Sequence, residues 1–256
     1  MMSLSFLVMI RYQIMPRITS RALKEHFSGR ERKEVAEFFK VVGSDASTVR
    51  AVVLEAEASF FNSIQGVMTR TLKLKAFPLF PRRKVEVYVL LGPATNATVT
   101  LYDVKIKVGG REVKGMTSIS QFSADKYTIG CSLSKELEEE VPSHSLMTME
   151  MMVQAFVDLV KDKERVLEIL EEQRERKLHD GYRTHPLNPI YRLKLKTEYV
   201  GYRIVEPALI EMSRTDEKGP VEYRKLRDLE TNKGVVTAEV YLPKAGLEYA
   251  IHYSLG

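Results

Sequence analysis

Apolar positions along the 256-residue chain recur with two different periods. In the first quarter, and again from residue 146 to 178, they return every three or four residues, the spacing of a helix face. From 84 to 133, and beyond 191, they alternate with polar residues, the spacing of a half-buried strand. The apolar run Leu4 to Ile10 reads as a buried strand continued by Arg11–Ile14 and ended by Pro16. Ser20 is placed to cap a short helix reaching His26, and Ser28 with Glu31 has the spacing of a capping box. Val35, Phe38, Phe39 and Val42 then form an apolar stripe, with Gly43 at its end. A further helix is expected from Asp45 or Ser47, because Val49, Val52, Val53, Ala56, Phe60, Ile64 and Val67 recur at helical spacing.

Strands are expected over Lys84–Leu91, Thr98–Val108, Arg111–Phe122 and Tyr127–Leu133. Gly109–Gly110 is a two-residue hairpin turn by composition, since such turns need positive φ. Without helix-length crossovers these runs read as an antiparallel meander. Leu146–Leu178 reads as one helix of roughly 50 Å at 1.5 Å rise per residue. Its first half, 146–160, is Met-rich and apolar almost all round; its second keeps a stripe of Val166, Leu167, Ile169 and Leu170 and a spaced pair, Glu172 and Arg176. Residues 179–190 are polar and proline-bearing, as in a linker. A second antiparallel β section follows over 191–254, with a short helix expected at Pro207–Arg214. Arg192-Leu193-Lys194-Leu195-Lys196 echoes Thr71-Leu72-Lys73-Leu74-Lys75, without extending to a repeat. The predicted class is therefore α+β: N-terminal helices, a meander, a long central helix and a second β section. One unit spanning 1–256 is expected, with an internal boundary at 179–190.

Charge adds a direction to this outline. The net charge is +5, but residues 1–132 hold 20 Lys/Arg against 11 Asp/Glu, whereas 133–178 hold 7 against 12. The segment from Arg70 to Lys84 holds six cations, and no Asp or Glu occurs between Glu57 and Glu86. Arg70, Lys73, Lys75, Arg82, Arg83 and Lys84, interleaved with Phe77 and Phe80, suit an anionic partner offering flat faces, as single-stranded nucleic acid does. The same Leu-Lys-Leu-Lys pattern also fits an ordinary strand with a solvated lysine face. Lys105 and Lys107, like Lys73/Lys75 and Lys194/Lys196, sit two apart and so point to one side of a strand. If those strands shared a sheet, their cations would cover one face. Plentiful Lys, Arg and Glu with scarce Asn and Gln lean toward a thermophilic source.

Candidate chemistry is thin. Cys131 is the only cysteine and, flanked by strand-like residues, reads as a buried inert thiol. The Leu4–Ile10 run is too short to span a bilayer and lacks the flanks of a secretory signal, so a cytoplasmic protein without membrane contact is expected. No phosphate-binding glycine loop and no nucleophile elbow occurs. Asp103, Glu112 and Lys114, with Glu57, have the residue types of a metal-dependent nuclease. A Gly109–Gly110 turn, however, puts Lys107 opposite Glu112 and leaves Asp103 about 13 Å away at 3.3 Å per residue. His179 and His185 bracket Asp180 in a combination able to hold a metal. His144, between Ser143 and Ser145, falls where serine caps a helix. The leading expectation is a non-enzymatic nucleic-acid-binding or structural assembly subunit without a cofactor. Its partners would be nucleic acid or another acidic surface, with self-association or a larger complex. A nuclease, and a small-molecule or lipid pocket built on the Met-rich segment 146–160, are the alternatives.

Overall fold

Alternation, not helical spacing, governs the chain from residue 51 onward. The computed structural model describes Lys33, Val35, Glu37, Phe38 and residues 49–256, apart from 144, 159–161, 173–176, 186 and 215–220. Among the described residues fifteen strands run in order: β1 Ala51–Ser63, β2 Val67–Pro78, β3 Arg82–Leu91, β4 Ala97–Val108, β5 Arg111–Glu112, β6 Gly115–Asp125, β7 Thr128–Val141, β8 Met147–Val157, β9 Leu178–Arg183, β10 Ile190–Val200, β11 Ile204–Arg214, β12 Val221–Asp228, β13 Thr231–Asn232, β14 Val235–Tyr241 and β15 Glu248–Leu255. One helix, Lys163–Glu172, lies between β8 and β9. Three sheets result. The first has eight strands in the order β13-β14-β10-β1-β2-β8-β4-β5, the second is β3-β7-β6, and the third is β12-β11-β15-β9. The α+β expectation is thus overturned: the fold is mainly β.

Each overturned element has a physical reason. Residues 51–67 form the β1–β2 hairpin, not a helix. Ala56 and Ala58 are buried between the more exposed Glu55, Glu57 and Ser59, a period of two. Gly66, at φ 87°, lets the chain turn back. The Met-rich segment is strand β8, with Met147, Met149, Met151 and Val153 on the buried face and Thr148, Glu150 and Gln154 on the other. Helix propensity of Ala, Glu and Met yields here to cross-strand partners on both sides. The helix predicted over 146–178 is reduced to its stripe-bearing middle, where Val166, Ile169 and Leu170 are buried. Residues 179–183 belong to β9 and not to a linker, and Pro207–Arg214 lies within β11. The first meander is split, since β4 joins the large sheet while β3, β6 and β7 form their own. A parallel pairing of β1 with β10 joins the two halves of the chain. The expected strand at 4–14, the helix at 20–26, the helix start at 45–47, His144 and the Glu172–Arg176 pair lie outside the described residues. Lys33, Val35, Glu37 and Phe38 are helical, as expected.

One apolar cluster reaches all three sheets. Leu193, Leu72, Met151 and Ile106 come from the large sheet, Val89 and Leu133 from the second, and Leu209 and Ile251 from the third. Cys131 is fully buried there, and burial raises its thiol pKa, consistent with an inert thiol. A second cluster packs Val35, Phe38, Val49, Val52, Leu54 and Phe77 around Tyr191. Among the described residues, no helix is long and apolar enough to cross a membrane.

Candidate functional site: the charged face of the large sheet

The strand lysines do share one sheet. β10 and β2 flank β1, and β8 and β4 follow outward, so residues directly opposite one another project to the same side. Cross-strand register sets two rows side by side. One runs Glu239, Lys194, Glu57, Lys73, Glu150, Lys105, with signs alternating over six strands. The other runs Tyr241, Arg192, Glu55, Lys75, Thr148, Lys107. Together they line a shallow groove of about 450 Å³ bounded by Glu55, Glu57, Lys73, Lys75, Lys105, Lys107, Thr148 and Glu150.

Carboxylates neutralise much of this positive charge. Lys73 pairs with Glu150 at 3.3 Å and Lys105 with Asp103 at 3.6 Å. Glu55 takes three cations: Lys194 at 2.8 Å, Arg192 at 3.0 Å and Lys75 at 3.6 Å. Burial pushes the Glu55 pKa up, but these cations outweigh it and hold the carboxyl at about 2. Of the other residues expected to contact nucleic acid, Arg83 pairs with Glu140 and Lys84 with Glu86. Arg82 is half-buried on β3, and Phe80 is exposed between β2 and β3. Phe77 is buried against Tyr191 and its neighbours. The continuous basic and aromatic surface expected over 70–84 is therefore not assembled. Lys73, Lys75, Lys105 and Lys107 come together, while Arg70 and Phe77 face the interior.

Arg70 serves a different purpose. It lies on the inner face of β2, 5% exposed, and reaches Asp180 of β9 at 3.6 Å. It also donates to the Phe61 carbonyl at 3.1 Å, with its guanidinium 5.5 Å from the Phe60 ring centroid. Asp180 accepts from Tyr253 Oη at 2.9 Å and Asn62 Nδ2 at 3.3 Å. This buried junction ties the large sheet to the third. Sequence reasoning missed Asp180 as a structural anion because its partners lie 73 to 118 residues away. A comparable tie joins the second sheet to the first, where buried Lys135 donates from Nζ to the Val104 carbonyl at 2.6 Å.

The metal candidates are not brought together. Asp180 is buried among inner-face groups, whereas His179 pairs with His252 across the third sheet, one residue out of phase. His185 Nδ1 accepts from the Leu187 amide at 3.0 Å. The register of β4 with β5 places Lys107 opposite Glu112 and Val108 opposite Arg111, as the Gly–Gly turn predicts. Asp103 lies four residues further along, opposite Met152. Among the described residues no group of three His, Cys, Asp or Glu is placed to hold a metal ion.

No protein-family model matches the chain, and no curated protein matches it. Loose structural overlaps exist. A zinc metallopeptidase of the M1 family from Deinococcus radiodurans overlaps with a TM-score of 0.35 and 8% identity, over 79% of this chain and 42% of that one. A candidate protease from Parabacteroides distasonis gives 0.43 and 8%, over 80% and 40%. A candidate nutrient-binding protein from Legionella pneumophila gives 0.33 and 6%, over 81% and 68%. The chain spans about two fifths of the length of the metallopeptidase chains it overlaps. Overlaps this loose establish neither family nor activity. The compositional lean toward a thermophilic source finds no support in them or in the structure.

Proposed function

We propose that this chain is a non-enzymatic binding and assembly protein that docks an acidic protein surface on the outer face of its large sheet. The supporting observation is the lysine quartet of β2 and β4. Lys73 and Lys105 flank Glu150 across β8, and Lys75 and Lys107 flank Thr148. Lys75 shares Glu55 with two nearer cations, and Lys107 makes no ion pair among the described residues. The quartet thus keeps a local positive surplus inside an array of both signs. An acidic protein surface that also bears some cations offers carboxylates to Lys75 and Lys107 and a cation to Glu57. A polynucleotide brings a phosphate at every step into an array that also holds Glu55, Glu57 and Glu150, so the array favours the protein partner.

The test is fluorescence anisotropy with two labelled probes of equal length, a glutamate-rich peptide with interspersed lysines and a single-stranded oligonucleotide. The peptide is expected to bind more tightly, to weaken as salt rises, and to lose about tenfold in affinity, roughly 1.4 kcal/mol, in K75E/K107E. Tighter oligonucleotide binding would transfer the face to nucleic acid. No binding of either probe, or a K75E/K107E variant that binds as well as the parent, would remove the face as a docking site.

A further inference from the structure

Every sheet has two edges, and an edge strand presents unpaired N–H and C=O groups to any extended chain that approaches. Among the described residues the three sheets have six edges, and five of them are blunted. β13 and β5, which end the large sheet, are two residues long and leave most of β14 and β4 open, but that part of β14 carries Glu239 and that part of β4 carries Asp103 and Lys105 with a register shift between Val99 and Leu101. β12 carries Glu222, Arg224, Lys225, Arg227 and Asp228 among its eight residues. β9 is short and carries His179, Asp180 and Arg183. β3 carries Arg82, Arg83, Lys84 and Glu86, with a register shift between Arg82 and Lys84. The sixth edge, β6, is different. It is eleven residues long, its residues 115–124 contain no charge and no proline, and its pairing with β7 is regular until Ser123. Along it the exposed side chains are large or hydroxylic: Met116 is 71% exposed and Phe122 44%, with Ser118 and Ser120 between them. Beyond β7 the same outer face continues to Tyr88, 67% exposed, and Leu90, 59% exposed.

We propose that β6 is a self-association edge, pairing antiparallel with β6 of a second copy of this chain about a two-fold axis through Ile119. The sequence of the strand selects this partner and this register. A two-fold axis perpendicular to the sheet must pair residues whose numbers sum to an even value, or inner and outer faces would exchange. A sum of 238 sets Met116 against Phe122 of the partner subunit, twice, pairing the two large side chains that stay exposed on the strand, although the Phe122 ring also packs over Gly130 of β7. It sets Ser118 against Ser120 of the partner subunit, a hydroxyl pair of the kind that stabilises antiparallel strands. It sets Thr117 against Gln121 of the partner subunit and places no like charges opposite each other. Shifting the axis by one residue either way leaves Met116 facing a serine or alanine, and Phe122 facing Lys114 or Ser118. The product is a six-stranded sheet, β3-β7-β6 continued by its symmetry mate, with the long uncharged edge of β6 removed. This surface lies on a different sheet from the lysine quartet and does not depend on the reading of that face.

Sedimentation velocity across a concentration series tests it. The parent is expected at twice the 29.3 kDa chain mass. S118K/S120K sets like charges opposite each other at the centre of the pairing and is expected to run as a monomer with unchanged far-UV circular dichroism. S118K/S120E sets opposite charges against each other only in the 118–120 register, and is expected to recover the dimer. K75E/K107E is expected to keep it. A monomeric parent at every concentration, a dimer that survives S118K/S120K with the fold intact, or a dimer lost in K75E/K107E would each overturn the proposal.

Discussion

His252 and His179 stand opposite each other on the outer face of the third sheet, where the His252 ring stacks on Tyr223 at 5.9 Å between centroids. Burial lowers the His252 pKa, and the nearby His179 and Lys177 lower it further, to about 4. The ordinary value is 6.5. A histidine depressed in the folded state is neutral there while the unfolded chain already binds a proton. Its contribution to stability is therefore present in full above pH 6.5 and is lost as the pH falls toward 4. Urea midpoints measured from pH 7.5 down to 4 should decline over that interval, and His252→Gln should flatten part of the decline. An unchanged slope in the variant would mean that the proton uptake belongs to another group. Glu55 acts lower on the scale. With its pKa at about 2 against an ordinary 4.5, its contribution is held until the pH falls below 4.5. The two windows meet between about pH 4 and 4.5, with His252 acting above and Glu55 below.

At the scale of elements, β8 shows what an apolar run conceals. Read as a helix, residues 146–160 should be buried on several sides; as a strand, they bury alternate residues only. Adjacent residues separate the two cases. Met149 is buried between Leu74 and Ile106 across β2 and β4, while Thr148 faces outward between Lys75 and Lys107. Met149→Ala is expected to cost about 2–5 kcal/mol by urea denaturation, and Thr148→Ala to stay within about 0.5 kcal/mol. Similar losses at both positions would contradict the strand. Much of the β outline was legible. The β4–β5 turn follows from Gly109–Gly110, which adopt φ 58° and 86°. The limits of β3 and β4 fall within two residues of those expected, and each lysine pair lies on one side of its strand. Hidden from the sequence were the neighbours. Nothing local in Glu55-Ala56-Glu57-Ala58 distinguishes a solvated helix face from a strand whose carboxylates will meet Lys75 and Lys73, because that depends on β2 and β10 arriving on either side. The candidate site suffered the same way. Its cations were legible as types, whereas the glutamates that neutralise them enter only through pairing. Arg70 looked like one more surface cation because Asp180 lies 110 residues further on.

At the scale of the whole molecule, the ties between sheets bear on how the chain unfolds. The large apolar cluster takes residues from Val53 to Leu255 and from all three sheets. The Arg70–Asp180 junction crosses from the first sheet to the third, and Lys135 with the Val104 carbonyl crosses from the second to the first. Each of the three sheets contributes buried residues to that one cluster. The expected behaviour is one cooperative transition, without separate unfolding on either side of 179–190. The chain contains no tryptophan, so single reporters can be placed without background. Tyr88→Trp reads the β3-β7-β6 sheet and Tyr223→Trp reads the β12-β11-β15-β9 sheet. Their urea midpoints should coincide with each other and with far-UV circular dichroism. Asp180→Ala then supplies the stringent case. It leaves the Arg70 guanidinium buried without its anion, a change expected to cost about 3–5 kcal/mol. In a molecule that unfolds as one unit, both reporters must register that loss equally, although Tyr88 lies on a sheet to which Asp180 does not belong. If the Tyr223→Trp midpoint falls while the Tyr88→Trp midpoint stays in place, the third sheet unfolds by itself and the shared core is not what holds the sheets together.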